Sequence, residues 1–231
     1  MKIKIDIVSD VACPWCYVGK QRLEKALSFV PEIDVDVTWQ PFQLDPSVPL
    51  EGRELKPYYA AKFGSKEKVQ EIFEHMENIG KTVGIAFDFN KMERTMNTLP
   101  LHMLMWEAEK EGFKSQLKER FFKAYFEDAI DLSKTENLIR ILSEFNWNSE
   151  KVLEVLSNSE ILEEVKNKIS YFQARGVRSV PFFIFNEKYG ISGAQEPQVL
   201  ADTLRKIQQE MEADETINSS LSCDLEGEEC L

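Results

Sequence analysis

With 231 residues, 28 of them Lys or Arg against 40 Asp or Glu, the chain carries a formal charge of -12 at pH 7. That acidity, without a Lys/Arg cluster interleaved with aromatics, argues against a nucleic-acid partner, and no run approaches the ~20 apolar residues that crossing a bilayer takes, so no membrane partner is expected. The length points to one fold carrying a large insertion. Four cysteines are too few for a disulfide framework. The start lacks a basic segment followed by an apolar run, so a cytoplasmic location is expected.

Ile3 to Val8 reads as a strand, Ser9 to Ala12 as a turn, and Tyr17 to Phe29 as a helix with Tyr17, Leu23, Ala26 and Leu27 toward a core. Between them lies Cys13-Pro14-Trp15-Cys16. Proline is favoured at the first helical position, where its missing N–H costs nothing, so Pro14 there makes Cys13 the N-cap. A thiolate at that cap can accept from the free N–H groups of Trp15 and Cys16 and lies at the positive end of the helix dipole. The expectation is an acidic, exposed nucleophile at Cys13, with Cys16 one turn further in as the covered resolving thiol. Half a zinc site is the competing reading of two such cysteines, but Cys223 and Cys230 lie in a distant polar segment and His75 and His102 are the only histidines. No second close ligand pair exists and no metal is expected.

Ile33 to Trp39 alternates apolar and polar residues as a second strand, running into extended Gln40 to Pro46. From Glu54 to Gly176 the period changes to that of successive amphipathic helices, near residues 54–63, 66–80, 99–111, 114–126, 135–144, 149–156 and 160–175. Phe113, Leu117, Phe121, Phe122 and Tyr125 form one apolar stripe, read as core packing. His102 is expected as a partly buried helix histidine with one hydrogen bond.

Val180 to Phe185 reads as a buried strand, Asn186 to Lys188 as a turn, Tyr189 to Ile191 as its antiparallel partner, and Glu196 to Met211 as a closing helix. Pro181 at the strand start is compatible with a trans bond, since no ladder donor is required there. If the Val180–Pro181 bond is cis beside Cys13, the backbone of Val180 can face outward and pair with an extended substrate. The acidic segment from 213 to 231 is expected to be disordered. Its Cys223 and Cys230 are either an accessory exchange pair or incidental thiols slowed by neighbouring carboxylates.

Ser9–Lys20, Trp39–Leu44, Asn97–Thr98, Ala124–Phe126, Gly176–Phe183 and Ile191–Gln195 together resemble the DsbA-like branch of the thioredoxin superfamily. The resemblance is closest to FrnE-like proteins related to 2-hydroxychromene-2-carboxylate isomerases and kappa-class glutathione transferases. It implies an α/β thioredoxin fold (β-α-β … α-β-β-α) with an all-helical insertion between the second and third strands. The implied division is a thioredoxin-like part over 1–50, the insertion over 51–164, the second thioredoxin-like part over 165–212, and the tail. It further implies a catalytic dithiol at Cys13 and Cys16, supported by Pro14, Trp15, Val180 and a cis-Pro181. Asn97 and the first and last insertion helices would border the substrate groove.

The isomerase and transferase branches generally keep a serine at the catalytic position and use glutathione, whereas this chain has both thiols. A resolving cysteine would displace a bound sulfur, so dithiol–disulfide exchange is the expected activity. Its partners would be protein or low-molecular-weight thiols and disulfides, with no required cofactor and glutathione as a candidate co-substrate. The alternative is a glutathione-dependent isomerase or transferase acting on a small aromatic molecule. Redox direction and oligomeric state are left open by these residues.

Overall fold

The structure, a computed structural model, describes residues 2–225, with side chains as far as Asp214. In chain order β1 (Lys2–Ser9) leads through a turn into α1 (Pro14–Leu27) and β2 (Asp34–Pro41). The insertion then contributes β3 (Arg53–Glu54), α2 (Leu55–Phe63), α3 (Lys66–Thr82), β4 (Arg94–Thr95), α4 (Leu99–Lys110), α5 (Lys114–Phe126), α6 (Thr135–Ser143), α7 (Ser149–Ser157) and α8 (Ser159–Ala174). The chain returns through β5 (Phe182–Phe185), β6 (Tyr189–Ser192) and α9 (Pro197–Leu225). No helix among the described residues is long and apolar enough to cross a membrane.

The main sheet has the order β2-β1-β5-β6. β1 pairs with β2 in parallel, from Lys2 opposite Asp34 to Ser9 opposite Pro41, and a parallel pair needs a crossover, which α1 supplies. β5 runs antiparallel on the other edge of β1 and is joined to β6 by a tight hairpin. Asn186 and Glu187 turn that hairpin at φ 48° and 57°, the left-handed pair that a type I′ turn requires.

Two cores result. Ile3, Ile5 and Ile7 alternate onto one sheet face and pack with Phe183, Phe185, Leu23 and Ala26 of α1, and Leu200 and Leu204 of α9. The second core fills the insertion with Phe73, Phe87, Phe89, Phe121, Phe122 and Phe126, and runs without a break to Cys13, Cys16 and Tyr17. Tyr17 closes the seam: its ring stacks on Phe122 at 5.0 Å and its hydroxyl donates to Glu127 at 2.6 Å. The start of α1 thus sits where the thioredoxin-like half meets the helical half.

Three boundaries differ from the sequence reading. A division at residue 164/165 would cut α8, which is one unbroken helix. Its first turns bury Ile161 and Val165 in the insertion core, while Phe172 near its end packs with Val8, Phe42 and Val177 at the sheet. The β3–β4 ribbon was not anticipated, because two residues per strand are too few to display a period. The segment from 213, expected as disordered, continues α9 as helical backbone to Leu225. No Gly or Pro interrupts it between Pro197 and Gly227, so nothing in its backbone chemistry forces a stop at Met211.

Candidate functional site

Cys13 occupies the N-cap of α1 with extended dihedrals (φ -99°, ψ 109°), and Pro14 opens the helix as its missing N–H allows. The turn that presents it is tied by Asp10. The Asp10 carbonyl accepts from the Cys13 N–H at 3.2 Å, and its carboxylate accepts from the Leu44 N–H at 2.7 Å and the Ala12 N–H at 3.4 Å. One side chain thereby holds both the loop before α1 and the strand exit after β2.

The Cys13 thiol donates to the Val180 carbonyl at 3.6 Å, across from the cis Val180–Pro181 bond. Close approach of that loop to α1 depends on Gly19, where an added Cβ would lie 3.0 Å from Pro181 Cγ. Cys13, Pro14, Val180 and Pro181 are therefore brought together, with Cys16 one turn behind.

Cys13 is only 5 % exposed and Cys16 1 %. The expected exposed nucleophile is instead a buried one, because α2 and α3 of the insertion roof over it. Its access is a cleft of about 400 Å³ that it shares with Trp15, Tyr58, Tyr59, Phe63, Phe73 and Met76. Val180 and Thr98 also reach this cleft, and the Thr98 hydroxyl is buried without a hydrogen-bond partner among the described residues. Trp15 is 37 % exposed and forms the rim.

The expected cap bonds to Cys13 are replaced. The Cys16 N–H goes to the Cys13 carbonyl at 3.0 Å, and the Cys13 sulfur accepts no cap bond as N-cap side chain. Both sulfurs are free thiols that titrate as a pair. The hydrogen bond with Cys16 and burial push the Cys13 thiol well up. Burial also opposes ionisation of Cys16, but its neighbours Cys13, Lys118 and Ser9 outweigh it and bring the Cys16 thiol down.

Behind Cys16 lies a sealed group of ionisable residues. His102 is buried, with Nε2 2.8 Å from the Phe42 carbonyl and 3.5 Å from Asp10 Oδ1. Both neighbours are acceptors, so Nε2 carries the proton. His102 is more enclosed and more connected than the single-bonded helix histidine expected. Burial pushes it below its ordinary range despite the pull of Asp10. Burial works against the charge of Asp10, yet His102, the Leu44 N–H and Lys118 keep its carboxyl low. Lys118 of α5 is 1 % exposed, and burial brings its ammonium down to about 8.

The groove borders need correction. Asn97 does not line the cleft. Its Oδ1 accepts from Gln43 Nε2 at 2.7 Å and the Leu99 N–H at 3.0 Å, and its Nδ2 donates to the Val48 carbonyl at 2.7 Å, so it braces the loop after β2. α2 borders the cleft as expected, whereas α3 takes the place assigned to α8. Cys230 and the side chain of Cys223 lie outside what the structure describes.

Sequence reasoning gave no role to Asp10, Thr98 or Lys118. Lys118 left one legible signal: it lies on the stripe of Phe121, Phe122 and Tyr125, where an amphipathic helix places apolar residues. Among the described residues, no three His, Cys, Asp or Glu side chains converge as a metal site.

The family model of the DSBA-like thioredoxin domain matches residues 4–205. The chain belongs to this family. Among solved structures, this DSBA-like domain is similar to a probable DsbA oxidoreductase from Streptomyces coelicolor, at 31 % identity and a TM-score of 0.84, covering 90 % of this chain and 91 % of that one. The cytosolic disulfide reductase DsbM from Pseudomonas aeruginosa, in its structure with glutathione, shares the fold at 14 % identity and a TM-score of 0.60, over 89 % of this chain and 99 % of that one. A 2-hydroxychromene-2-carboxylate isomerase does so at 15 % identity and a TM-score of 0.60, over 94 % and 98 %. The DSBA-like assignment accounts for the four-stranded sheet and for the helical insertion.

Proposed function

We propose that this protein is a FrnE-like, cytoplasmic thiol–disulfide oxidoreductase whose working pair is Cys13 and Cys16, acting on protein or low-molecular-weight disulfides without a required cofactor. The observation that carries the reading is the placement of the two sulfurs: Cys13 opens onto the cleft while Cys16 is shut off one turn behind. A substrate disulfide entering the cleft meets Cys13 first. Cys13 Sγ attacks one substrate sulfur as the thiolate of the pair, and the other substrate sulfur leaves as a thiolate. The Cys16 thiol then passes its proton to the departing substrate thiolate and attacks Cys13 Sγ, which closes the protein disulfide and releases the second substrate sulfur as a thiolate. Two electrons pass from the protein to the substrate, and the reverse sequence oxidises a dithiol.

Val180, across from Cys13, is the backbone against which an extended substrate segment would lie. Glutathione, bound in the DsbM structure, is a natural co-substrate for reduction of the pair. Cys223 and Cys230 remain proposed as an accessory exchange pair, tested by comparing exchange rates with and without residues 213–231. The cleft's aromatic lining favours one second reading, a glutathione-dependent isomerisation of a small aromatic molecule.

Cys16→Ser separates the two. Exchange predicts that a mixed disulfide accumulates on Cys13, visible by mass spectrometry, and that turnover falls by at least about a hundredfold. Isomerisation predicts unimpaired turnover. Undiminished exchange in the Cys13→Ser/Cys16→Ser double variant would overturn the oxidoreductase reading altogether.

A further inference from the structure

We propose that Arg22 of α1 is a positioning residue of the exchange site, clamping the loop after β6 so that the Val180–Pro181 segment is held in place for an extended substrate. The inference deepens the oxidoreductase reading and rests on it for its consequence, while the clamp itself rests on distances.

Arg22 follows Gly19 by three residues, so the two share one face of α1. That face meets the loop at residues 193–196. Arg22 Nη1 donates to the Ala194 carbonyl at 2.6 Å, and Nη2 pairs with Glu196 Oε1 at 2.7 Å. A guanidinium holds two acceptors in one rigid planar fork, which an ammonium on a flexible stem does not. Two points of the same loop are thereby fixed to α1.

The Arg22 side chain is only 11 % exposed, and its Nε is buried without a hydrogen-bond partner among the described residues. An arginine serving surface pairing alone would keep its head in water. Here one donor goes unmet while two others reach the loop, a local cost of the kind met at functional positions.

From the clamped loop the contacts run directly to the site. The Gly193 N–H donates to the Pro181 carbonyl at 2.8 Å, and Ser192 just before it pairs with Phe182 across the β5–β6 ladder. On the α1 side, a Cβ added at Gly19 would lie 3.0 Å from Pro181 Cγ and 3.5 Å from Ala194 Cβ. Gly19 therefore sets how near the loop can come, and Arg22 holds it there. The Val180 carbonyl, next to Pro181, accepts from Cys13 Sγ at 3.6 Å. One helix thus carries the nucleophile at its cap and, further along, the anchor of the backbone opposite that nucleophile.

The consequence falls on substrates that have a backbone to dock. An extended peptide needs the Val180 backbone in register with it, whereas a small disulfide needs only Cys13 and the cleft.

The test compares full-length wild type, Arg22→Met, Arg22→Lys and Glu196→Ala on two disulfides. One is an unstructured peptide whose single cysteine carries 2-mercaptoethanol, and the other is 2-hydroxyethyl disulfide. Arg22→Met should raise KM for the peptide about tenfold, the worth of roughly one hydrogen bond, with kcat little changed. Its kcat/KM for 2-hydroxyethyl disulfide should stay within about twofold of wild type. Arg22→Lys should not restore the peptide KM, because the fork is lost. A merely structural arginine would slow both substrates together, and that outcome, or full rescue by Arg22→Lys, overturns the proposal.

Should Arg22→Met fail to fold, Glu196→Ala decides instead. That side chain is 68 % exposed, and its removal takes away one arm of the clamp, so peptide KM should rise by about threefold against an unchanged small disulfide. Equal KM shifts for both substrates in Glu196→Ala would count against the clamp. A wild type inert toward both disulfides would sink the oxidoreductase reading alone. Hydrogen exchange then settles the clamp without any thiol chemistry: the Gly193 amide must lose protection in Arg22→Met, or in Glu196→Ala where that is the variant that folds. An unchanged Gly193 amide would sink the clamp and leave the exchange reading standing.

Discussion

Cys13 and Cys16 are one helical turn apart, yet they look out on opposite chemistries. On the Cys13 side, α2 and α3 build a cleft walled by Tyr58, Tyr59, Phe63 and Phe73, with Trp15 at its rim. On the Cys16 side, α4 and α5 bring His102 and Lys118 up to Asp10 and Ser9 in a space closed to solvent. The helical insertion therefore serves each sulfur differently: one pair of helices walls the way to the outer thiol, and the other packs buried ionisable groups beside the turn that carries the pair. Selection and electrostatics are separable because different helices carry them.

That separation can be broken from either side. The largest effect is expected at Asp10. Asp10→Ala strips acceptors from the Leu44 and Ala12 N–H groups and from His102, leaving buried donors unmet at a cost of roughly 2–5 kcal/mol. Urea unfolding should show the loss, and exchange should slow for every substrate alike. A variant of wild-type stability would mean that the loops before α1 and after β2 are held by something else.

A smaller effect is expected from pH. His102 is held below its ordinary value of ~6.5 by burial, so the unfolded chain takes up a proton that the folded protein refuses. Stability should therefore fall as pH drops below about 6.5. Asp10, held low in the fold, adds to the loss below about pH 4. Denaturant midpoints near pH 7 and pH 5 check the sign, and His102→Gln should flatten the upper part of the curve. If the slope between those pH values were unchanged in His102→Gln, the buried imidazole would not be its source.

The smallest effect on stability belongs to the cleft. Trp15→Ala removes a rim residue that is 37 % exposed and should change unfolding free energy by no more than about 0.5 kcal/mol. It should still raise KM for aromatic disulfides by roughly threefold to tenfold, the worth of about 1 kcal/mol of apolar contact, and leave glutathione disulfide less affected. Equal changes for both substrates would show that the rim does not select.

Much of the frame was legible. Period-two alternation marked β1 and β2, the helical period marked α2 to α8 within a turn at each end, and Asn186-Glu187 marked the hairpin. The core assignment of Leu117, Phe121, Phe122 and Tyr125 holds, since each is buried, while Phe113 is half-buried against the same core. Asn97 was misread because its side chain is consumed by Gln43, Leu99 and Val48, contacts between segments far apart in sequence. Lys118 and Asp10 were overlooked for a related reason. A charged residue looks solvated until packing removes its water.

What the sequence determined alone was the order of elements and the place of the two thiols, because strand period, helix period and proline position act over a few residues. Only the tertiary structure decided how deeply both thiols are buried and which helices roof them. Those properties depend on fields and contacts summed over α1, α4, α5 and the loop at Val180, and no local pattern encodes that sum.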